Sequence, residues 1–169
     1  KKYKINIIKN LDSYKKKIKK SDITIAAIPG IAGLKPTIDL TKKSKKILIA
    51  NKESVICGWN IINKTALRNR TKIIPIDSEH FSIKQLLANQ NINEIKKIYL
   101  TASGGAFLNH KVSKLNKVKP NEALKHPKWK MGKKISIDSA TLMNKMLEVV
   151  EAHKLFAIDL KKIEIVIHP

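Results

Sequence analysis

Short apolar runs alternate along this chain with segments of helical spacing. Residues 23–28 (Ile-Thr-Ile-Ala-Ala-Ile) form an apolar run closed by Pro29 and Gly30, which reads as a buried strand. Residues 33–43 suit a helix with Leu34, Ile38 and Thr41 inward, and 46–50 (Lys-Ile-Leu-Ile-Ala) read as a second buried strand. Strand, helix and strand within about 30 residues make a βαβ unit and imply a parallel sheet. A weaker helical pattern precedes it through Ile8, Leu11, Tyr14 and Ile18. Beyond it the pattern predicts a helix over 55–67, a strand over 71–76, a helix over 81–87, a turn at 89–93 and a strand over 95–100. Residues 109–125 read as a linking segment with a short helix near 121–124, and 162–167 as a last strand before His168 and Pro169.

The stretch 126–148 reads as a loop, a short strand and a helix start. Ser139 is the candidate N-cap, its hydroxyl able to accept from the open N–H groups of a first turn. Leu142, not Glu, stands three residues on, so there is no capping box. Leu142, Met146, Val149 and Val150 fall on one helical stripe, with Met143 and Leu147 beside it. Asn144 and Glu148 are four apart, Lys145 and Glu148 three apart, so all three project from adjacent turns of one surface. An amide, an ammonium and a carboxylate beside a helix N-terminus suit a metal and a phosphate. The same spacing also suits an ordinary solvated ion pair.

Polar groups also collect at predicted strand ends, where open α/β sheets bind ligands. Asn51-Lys52-Glu53-Ser54 follows the second strand. Gly30-Ile-Ala-Gly33 is not the dinucleotide fingerprint, which is absent from the chain. Asp77 and Glu79, two apart, put both carboxylates on one side of an extended segment, which suits a hard cation such as Mg²⁺ or Mn²⁺; a charged loop is the other reading. His80 reads as a neighbour rather than a ligand. Residues 101–107 (Thr-Ala-Ser-Gly-Gly-Ala-Phe) form a small-residue loop whose backbone can approach an anion, or a plain turn. His126, Trp129 and Met131 ahead of Gly132 suit a lid over a ligand, or packing onto the core.

Composition adds bounds. The 169 residues make one domain or parts of two. No apolar run approaches the roughly 18 residues of a membrane span. Cys57 is the only cysteine, so no internal disulfide is possible, which fits a reducing compartment. The chain starts at Lys1 and shows no signal peptide. The net charge of +22 suggests nucleic acid, but the lysines are spread along the chain and aromatics are only 5%, too few for base-stacking platforms. Joint enrichment in Ile, Asn and Lys points to compositional drift, and the charge still attracts small anionic ligands.

Four strings now fall in a known order: Ile49-Ala-Asn-Lys-Glu-Ser54, Pro75-Ile-Asp-Ser-Glu-His80, Leu100-Thr-Ala-Ser-Gly-Gly105, and the whole of 126–148. Together they closely resemble the 1-deoxy-D-xylulose 5-phosphate reductoisomerase family, from about Ile23 to the end of the chain. The resemblance implies an α/β fold, with the C-terminal part of a Rossmann-like NADPH-binding domain over 1–76 and an α+β catalytic domain over 77–169. It places the acidic metal triad on Asp77, Glu79 and Glu148. It places the substrate phosphate on Ser103, Ser139, Asn144 and Lys145, and the substrate's oxygen-bearing carbons on Lys52 and Ser78. His126, Trp129 and Met131 match a mobile flap. Asn51, Lys52, Glu53 and Gly132 match NADPH contacts, with Ala27 and Gly30 beside them. The implied chemistry is a skeletal rearrangement, by a retro-aldol/aldol route or an α-ketol shift. NADPH then reduces the aldehyde to 2-C-methyl-D-erythritol 4-phosphate.

Departures qualify the match. The family's Thr-Gly-Ser nucleotide loop and its C-terminal helical domain have no counterpart here. Ala106-Phe107-Leu108 stands where Pro-Phe-Arg is usual, and Met146 where many relatives carry Gly. The expectation is a central fragment, inactive alone, of a cytoplasmic bacterial enzyme (or a plastid one) that forms a homodimer and binds neither membrane nor nucleic acid. The alternatives are another Rossmann oxidoreductase of homoserine dehydrogenase type, since Ala-Asn-Lys after a strand also occurs there, and a basic nucleic-acid-binding module.

Overall fold

Three strands run parallel in the order β1 (Ser21–Ala26), β2 (Ser44–Ile49), β3 (Lys72–Pro75). The register pairs Ile23 with Lys46 and Ile25 with Leu48, then Lys46 with Lys72 and Leu48 with Ile74. Helix α1 (Leu34–Thr41) links β1 to β2, and α2 (Lys52–Asn69) links β2 to β3. The expected βαβ unit is therefore present and extended by one more crossover. The computed structural model describes residues 7, 18–128 and 130–168. Ile8, Leu11, Tyr14 and Trp129 lie outside the described residues.

Burial departs from the pattern in two places. β1 was expected to be buried, yet Ile23 and Ile25 are 59% and 63% exposed and only Ala26 is buried. The pleat puts Ile23 and Ile25 on one face and Ala26 on the other. On α1 the buried side chains are Thr37 and Thr41, while Leu34 and Ile38 are half-buried. Thr37 and Thr41 tolerate burial because each hydroxyl donates to the carbonyl four residues back, Gly33 and Thr37, at 2.7 Å. The apolar centre here is Ile47 and Ile49 of β2 with Val55, Ile62 and Ala66 of α2. Gly58 lets α1 and α2 close up, since a Cβ there would stand 2.2 Å from Leu34 Cδ1.

The chain divides into two units, Lys1–Phe81 and Ser82–Pro169, and helix α3 (Ser78–Leu86) carries it from the first to the second. The second unit holds β4 (Ile98–Ala102) and β5 (Ile163–Ile167), paired in parallel. Between them come α4 (Pro120–Ala123), α5 (Lys133–Ala140) and α6 (Met143–Phe156). Its core is Ile83, Leu100, Val149, Ala152, Ile158 and Ile163, with Leu87, Ile98, Phe156 and Ile165 against it. The expected α/β class with parallel strands holds.

The stretch 126–148 differs from its reading. Residues 133–140 are helical where a short strand was expected, so Ser139 lies in the last turn of α5 and caps nothing. The break between α5 and α6 falls at Leu142, which takes a left-handed conformation (φ 59°) that costs a non-glycine residue about 1 kcal/mol or more. The buried face of α6 is Lys145, Glu148, Val149, Glu151 and Ala152, whereas Met143 and Met146 are about half exposed. Only Val149 of the expected apolar stripe is buried.

Candidate active site

In the first unit, Asn51 organises the end of the sheet. It lies just past β2 and caps α2, its Oδ1 accepting from the Ser54 N–H at 2.5 Å. Its Nδ2 donates to the Gly30 carbonyl at 2.9 Å and also to the Ile28 carbonyl. The loop after β1 is thus tied to the loop after β2, which brings Gly30 beside Asn51. Gly33 permits the closeness, since a Cβ there would stand 2.3 Å from the Ile28 oxygen. Lys52 and Glu53 are half-buried in the first turn of α2, where a carboxylate is favoured by the helix dipole. Ala27 is exposed, and Gly30 (φ 71°) has open space where a Cβ would be. A loop, a helix N-terminus and a glycine without neighbours leave room for an extended ligand carrying phosphates.

Asp77 and Glu79 were expected on one side of an extended segment. The chain turns helical at once: the Asp77 carbonyl accepts from the Phe81 N–H at 2.9 Å, and Glu79 lies in the first turn of α3. The shared-side argument therefore fails, because residues two apart on a helix diverge. Asp77 instead meets His80, whose Nδ1 lies 2.7 and 2.8 Å from the two carboxylate oxygens. A carboxylate only accepts, so His80 carries its hydrogen on Nδ1. His80 is completely buried, and its ring holds the Asp77 carboxylate in place. Ser78 Oγ donates to Glu79 Oε2 at 2.8 Å.

In the second unit, β4 delivers Ser103 into the double-glycine loop. Gly104 and Gly105 take φ values of 83° and 70°, open to glycine at little cost. Ser103 Oγ lies 3.0 Å from His126 Nε2, and His126 Nδ1 accepts from the Lys128 N–H at 3.2 Å. Nε2 must then carry the ring hydrogen and donate to the serine. A Cβ on Gly105 would stand 2.2 Å from the Ser139 carbonyl oxygen, so the loop rests on the end of α5. Met131 is half-buried, and Gly132 is the exposed residue before α5.

Asn144, Lys145 and Glu148 come together on α6. Asn144 Nδ2 donates to Glu148 Oε1 at 2.6 Å, and Lys145 Nζ is paired with Glu148 Oε2. Lys145 is 7% exposed and Glu148 3%, so the solvated-pair reading is excluded. Burying an ion pair costs desolvation and is weak evidence of stabilisation. A buried carboxylate and ammonium with a half-buried amide, beside the open N–H groups of a helix start, can hold a cation and an anion together. Glu151, one turn on and equally buried, was not singled out from the sequence. Spacing alone gave no sign that the charged face of α6 turns inward.

A model described as the 1-deoxy-D-xylulose 5-phosphate reductoisomerase C-terminal domain matches residues 73–156, and one for 1-deoxy-D-xylulose 5-phosphate reductoisomerase matches 1–58. The chain belongs to the 1-deoxy-D-xylulose 5-phosphate reductoisomerase family. A reductoisomerase of Pelagibacter ubique is 51% identical over 169 residues, covering 98% of this chain and 44% of its own length. One from Wolbachia pipientis of Culex pipiens is 52% identical over 149 residues, covering 88% of this chain and 38% of its own. The chain thus spans under half the length of these relatives. A crystal structure of a reductoisomerase in complex with NADPH, fosmidomycin and magnesium is 44% identical, with a TM-score of 0.79 over 88% of this chain and 39% of its own. The Zymomonas mobilis enzyme in complex with NADPH is 42% identical, with a TM-score of 0.78 over 88% and 38%. Among the described residues no helix is long and apolar enough to cross a membrane.

Proposed function

We propose that the full-length protein converts 1-deoxy-D-xylulose 5-phosphate to 2-C-methyl-D-erythritol 4-phosphate, using NADPH and a divalent cation. The observation that supports this is the buried Lys145–Glu148 pair with Asn144 bonded to it, in a family with a solved member that holds NADPH and magnesium. Residues 1–76 belong to the nucleotide-binding domain and 77–169 to the catalytic domain. The enzyme works as a cytoplasmic homodimer, without nucleic acid as a partner, and its positive charge draws anionic substrates.

Asp77, Glu79 and Glu148 hold the cation. Hard carboxylate oxygens suit Mg²⁺ or Mn²⁺, and Glu148 already stands against a positive charge, that of Lys145. When bound, the cation supplies Lewis acidity to the substrate's oxygens. Ser103, Ser139, Asn144 and Lys145 anchor the phosphate with hydroxyl, amide and ammonium donors. Lys52 and Ser78 lie on the oxygen-bearing carbons, where the ammonium of Lys52 stabilises developing negative charge and assists proton movement. His126, Trp129 and Met131 close over the substrate and exclude water. Ala27, Gly30, Asn51, Lys52, Glu53 and Gly132 line the path of NADPH, which delivers hydride to the aldehyde formed by the rearrangement. Fosmidomycin is expected to bind the same place.

The test is NADPH oxidation by the full-length protein with 1-deoxy-D-xylulose 5-phosphate and Mn²⁺, alongside Glu148→Gln. Metal-dependent oxidation that collapses in the variant supports the reading. Folded wild-type protein without oxidation refutes it.

A further inference from the structure

Thr141 and Leu142 stand between α5 and α6, and Leu142 is the joint, left-handed at φ 59° and ψ 6°. Its N–H donates to the Ser139 carbonyl at 3.1 Å, and its own carbonyl accepts from the Met146 N–H at 3.1 Å. One residue thus closes α5 and opens α6. Both sides are anchored. The Ser139 carbonyl lies against Gly105 of the double-glycine loop, and Val149 and Ala152 seat α6 in the core of the second unit. The donors assigned to phosphate fall on either side of this joint, Ser139 before it and Asn144 and Lys145 after it. On one unbroken helix, at about 100° per residue, Asn144 would point about 140° away from Ser139 and Lys145 about 120°. Donors so far apart around one axis cannot share an anion, and a turn between them lifts that restriction. Leucine is a poor residue for the turn, because the left-handed conformation drives its Cβ toward the next carbonyl oxygen. Such conformations persist where the surroundings impose them, and they cluster at functional sites.

We propose that Leu142 is a positioning residue of the phosphate site, its left-handed joint bringing Ser139 together with Asn144 and Lys145; this rests on the phosphate roles proposed above. A side chain that disfavours the joint lets it relax in the free protein. The sugar phosphate must then restore it on binding, so the cost falls on substrate affinity. The Leu142 side chain, half-buried, is secondary to its backbone in this role.

The experiment measures steady-state kinetics and thermal melts of the full-length protein carrying Leu142→Asn or Leu142→Ile. Asparagine tolerates the left-handed region and gives up the apolar side chain; isoleucine keeps the apolar side chain, but its branched Cβ makes that region an outlier. Leu142→Asn should keep the KM for the sugar phosphate within about twofold of wild type. Leu142→Ile should raise it by about 5-fold or more, with kcat and the KM for NADPH little changed. The opposite ranking overturns the proposal, since packing of the side chain would then be what counts. A lower Tm in Leu142→Ile with an unchanged KM also overturns it, because the joint would then serve stability alone. If Leu142→Ile does not fold, Leu142→Ala and Leu142→Gly decide, since both lack the side chain and only glycine is free of the left-handed cost. Alanine should have the higher KM for the sugar phosphate, and equal values overturn the proposal. Ser139→Ala separates the two levels of the argument. A KM raised by Ser139→Ala but not by Leu142→Ile removes the joint and leaves the site. An unchanged KM in Ser139→Ala sinks the phosphate role of Ser139 and the joint with it.

Discussion

Ser103 Oγ accepts a hydrogen bond from His126 Nε2 at 3.0 Å, which joins the double-glycine loop to the start of the stretch assigned to the flap. A hydroxyl that accepts from histidine still has its own hydrogen to donate. Ser103 can therefore grip a phosphate oxygen without releasing His126. A hydrogen bond to a charged group contributes about 1.5–3 kcal/mol. Ser103→Ala should thus raise the KM for the sugar phosphate at least ~10-fold, with the KM for NADPH little changed. Steady-state kinetics of the full-length protein decide it. An unaltered KM for the sugar phosphate would remove Ser103 from the phosphate site.

Gly105 and Gly104 separate two costs. Both have positive φ, so alanine at either is strained by about 1 kcal/mol. At Gly105 the new Cβ would also stand 2.2 Å from the Ser139 carbonyl, a backbone atom that cannot rotate away. At Gly104 it would meet only the Leu108 side chain, which is 44% exposed and can move. Gly105→Ala should weaken sugar-phosphate binding and lower Tm well beyond Gly104→Ala. Equal effects in kinetics and thermal melts would mean that the contact with Ser139 does not position the loop.

The crossovers of the first unit were legible because βαβ periodicity and strand length are local properties. The α5 helix was not. Ile135-Ser136-Ile137-Asp138 alternates as a strand does, yet Ser136 is the buried residue and both isoleucines are over a third exposed. Tertiary contacts chose a helix against the β-branched preference. Asp77 carries a local signal for the helix, since Asp is a favoured residue at a helix start. The inward turn of Lys145 and Glu148 had no such signal. Hydrophobic spacing assigns charged positions to solvent, and a site that buries charge for chemistry contradicts that rule. The left-handed Leu142, which sets where α6 begins, is equally invisible in composition.

Asp22 and Lys45 form an exposed pair at 2.8 Å between β1 and β2. The lysine's hydrogen bond and charge hold the Asp22 carboxyl below its ordinary value, and Asp22 raises Lys45. The lowered carboxyl contributes above about pH 4, and this is lost as pH falls through its folded value. The raised ammonium contributes below about pH 10, lost as pH rises through its own folded value. Lys45→Met should move the NMR titration midpoint of Asp22 upward. With both side chains in solvent, the melting temperature at neutral pH should barely change. An unmoved midpoint would mean that the contact does not persist in solution.

Asn51 performs two tasks that different substitutions separate. Its oxygen caps α2, while its amide nitrogen ties down the Ile28 and Gly30 carbonyls. Asn51→Ala loses both and should cost about 1 kcal/mol or more. Asn51→Asp keeps a favoured cap, yet turns a carboxylate oxygen toward two carbonyl oxygens, where nothing can be donated. If capping alone mattered, the Asp variant would be as stable as wild type. If the tie between the two loops matters, it should melt no higher than Asn51→Ala. It should also lose affinity for NADPH, because Gly30 and Ala27 are released from the loop opposite. Denaturant unfolding and NADPH fluorescence titration of both variants distinguish the cases. Wild-type stability with wild-type cofactor affinity in Asn51→Asp would reduce Asn51 to a helix cap.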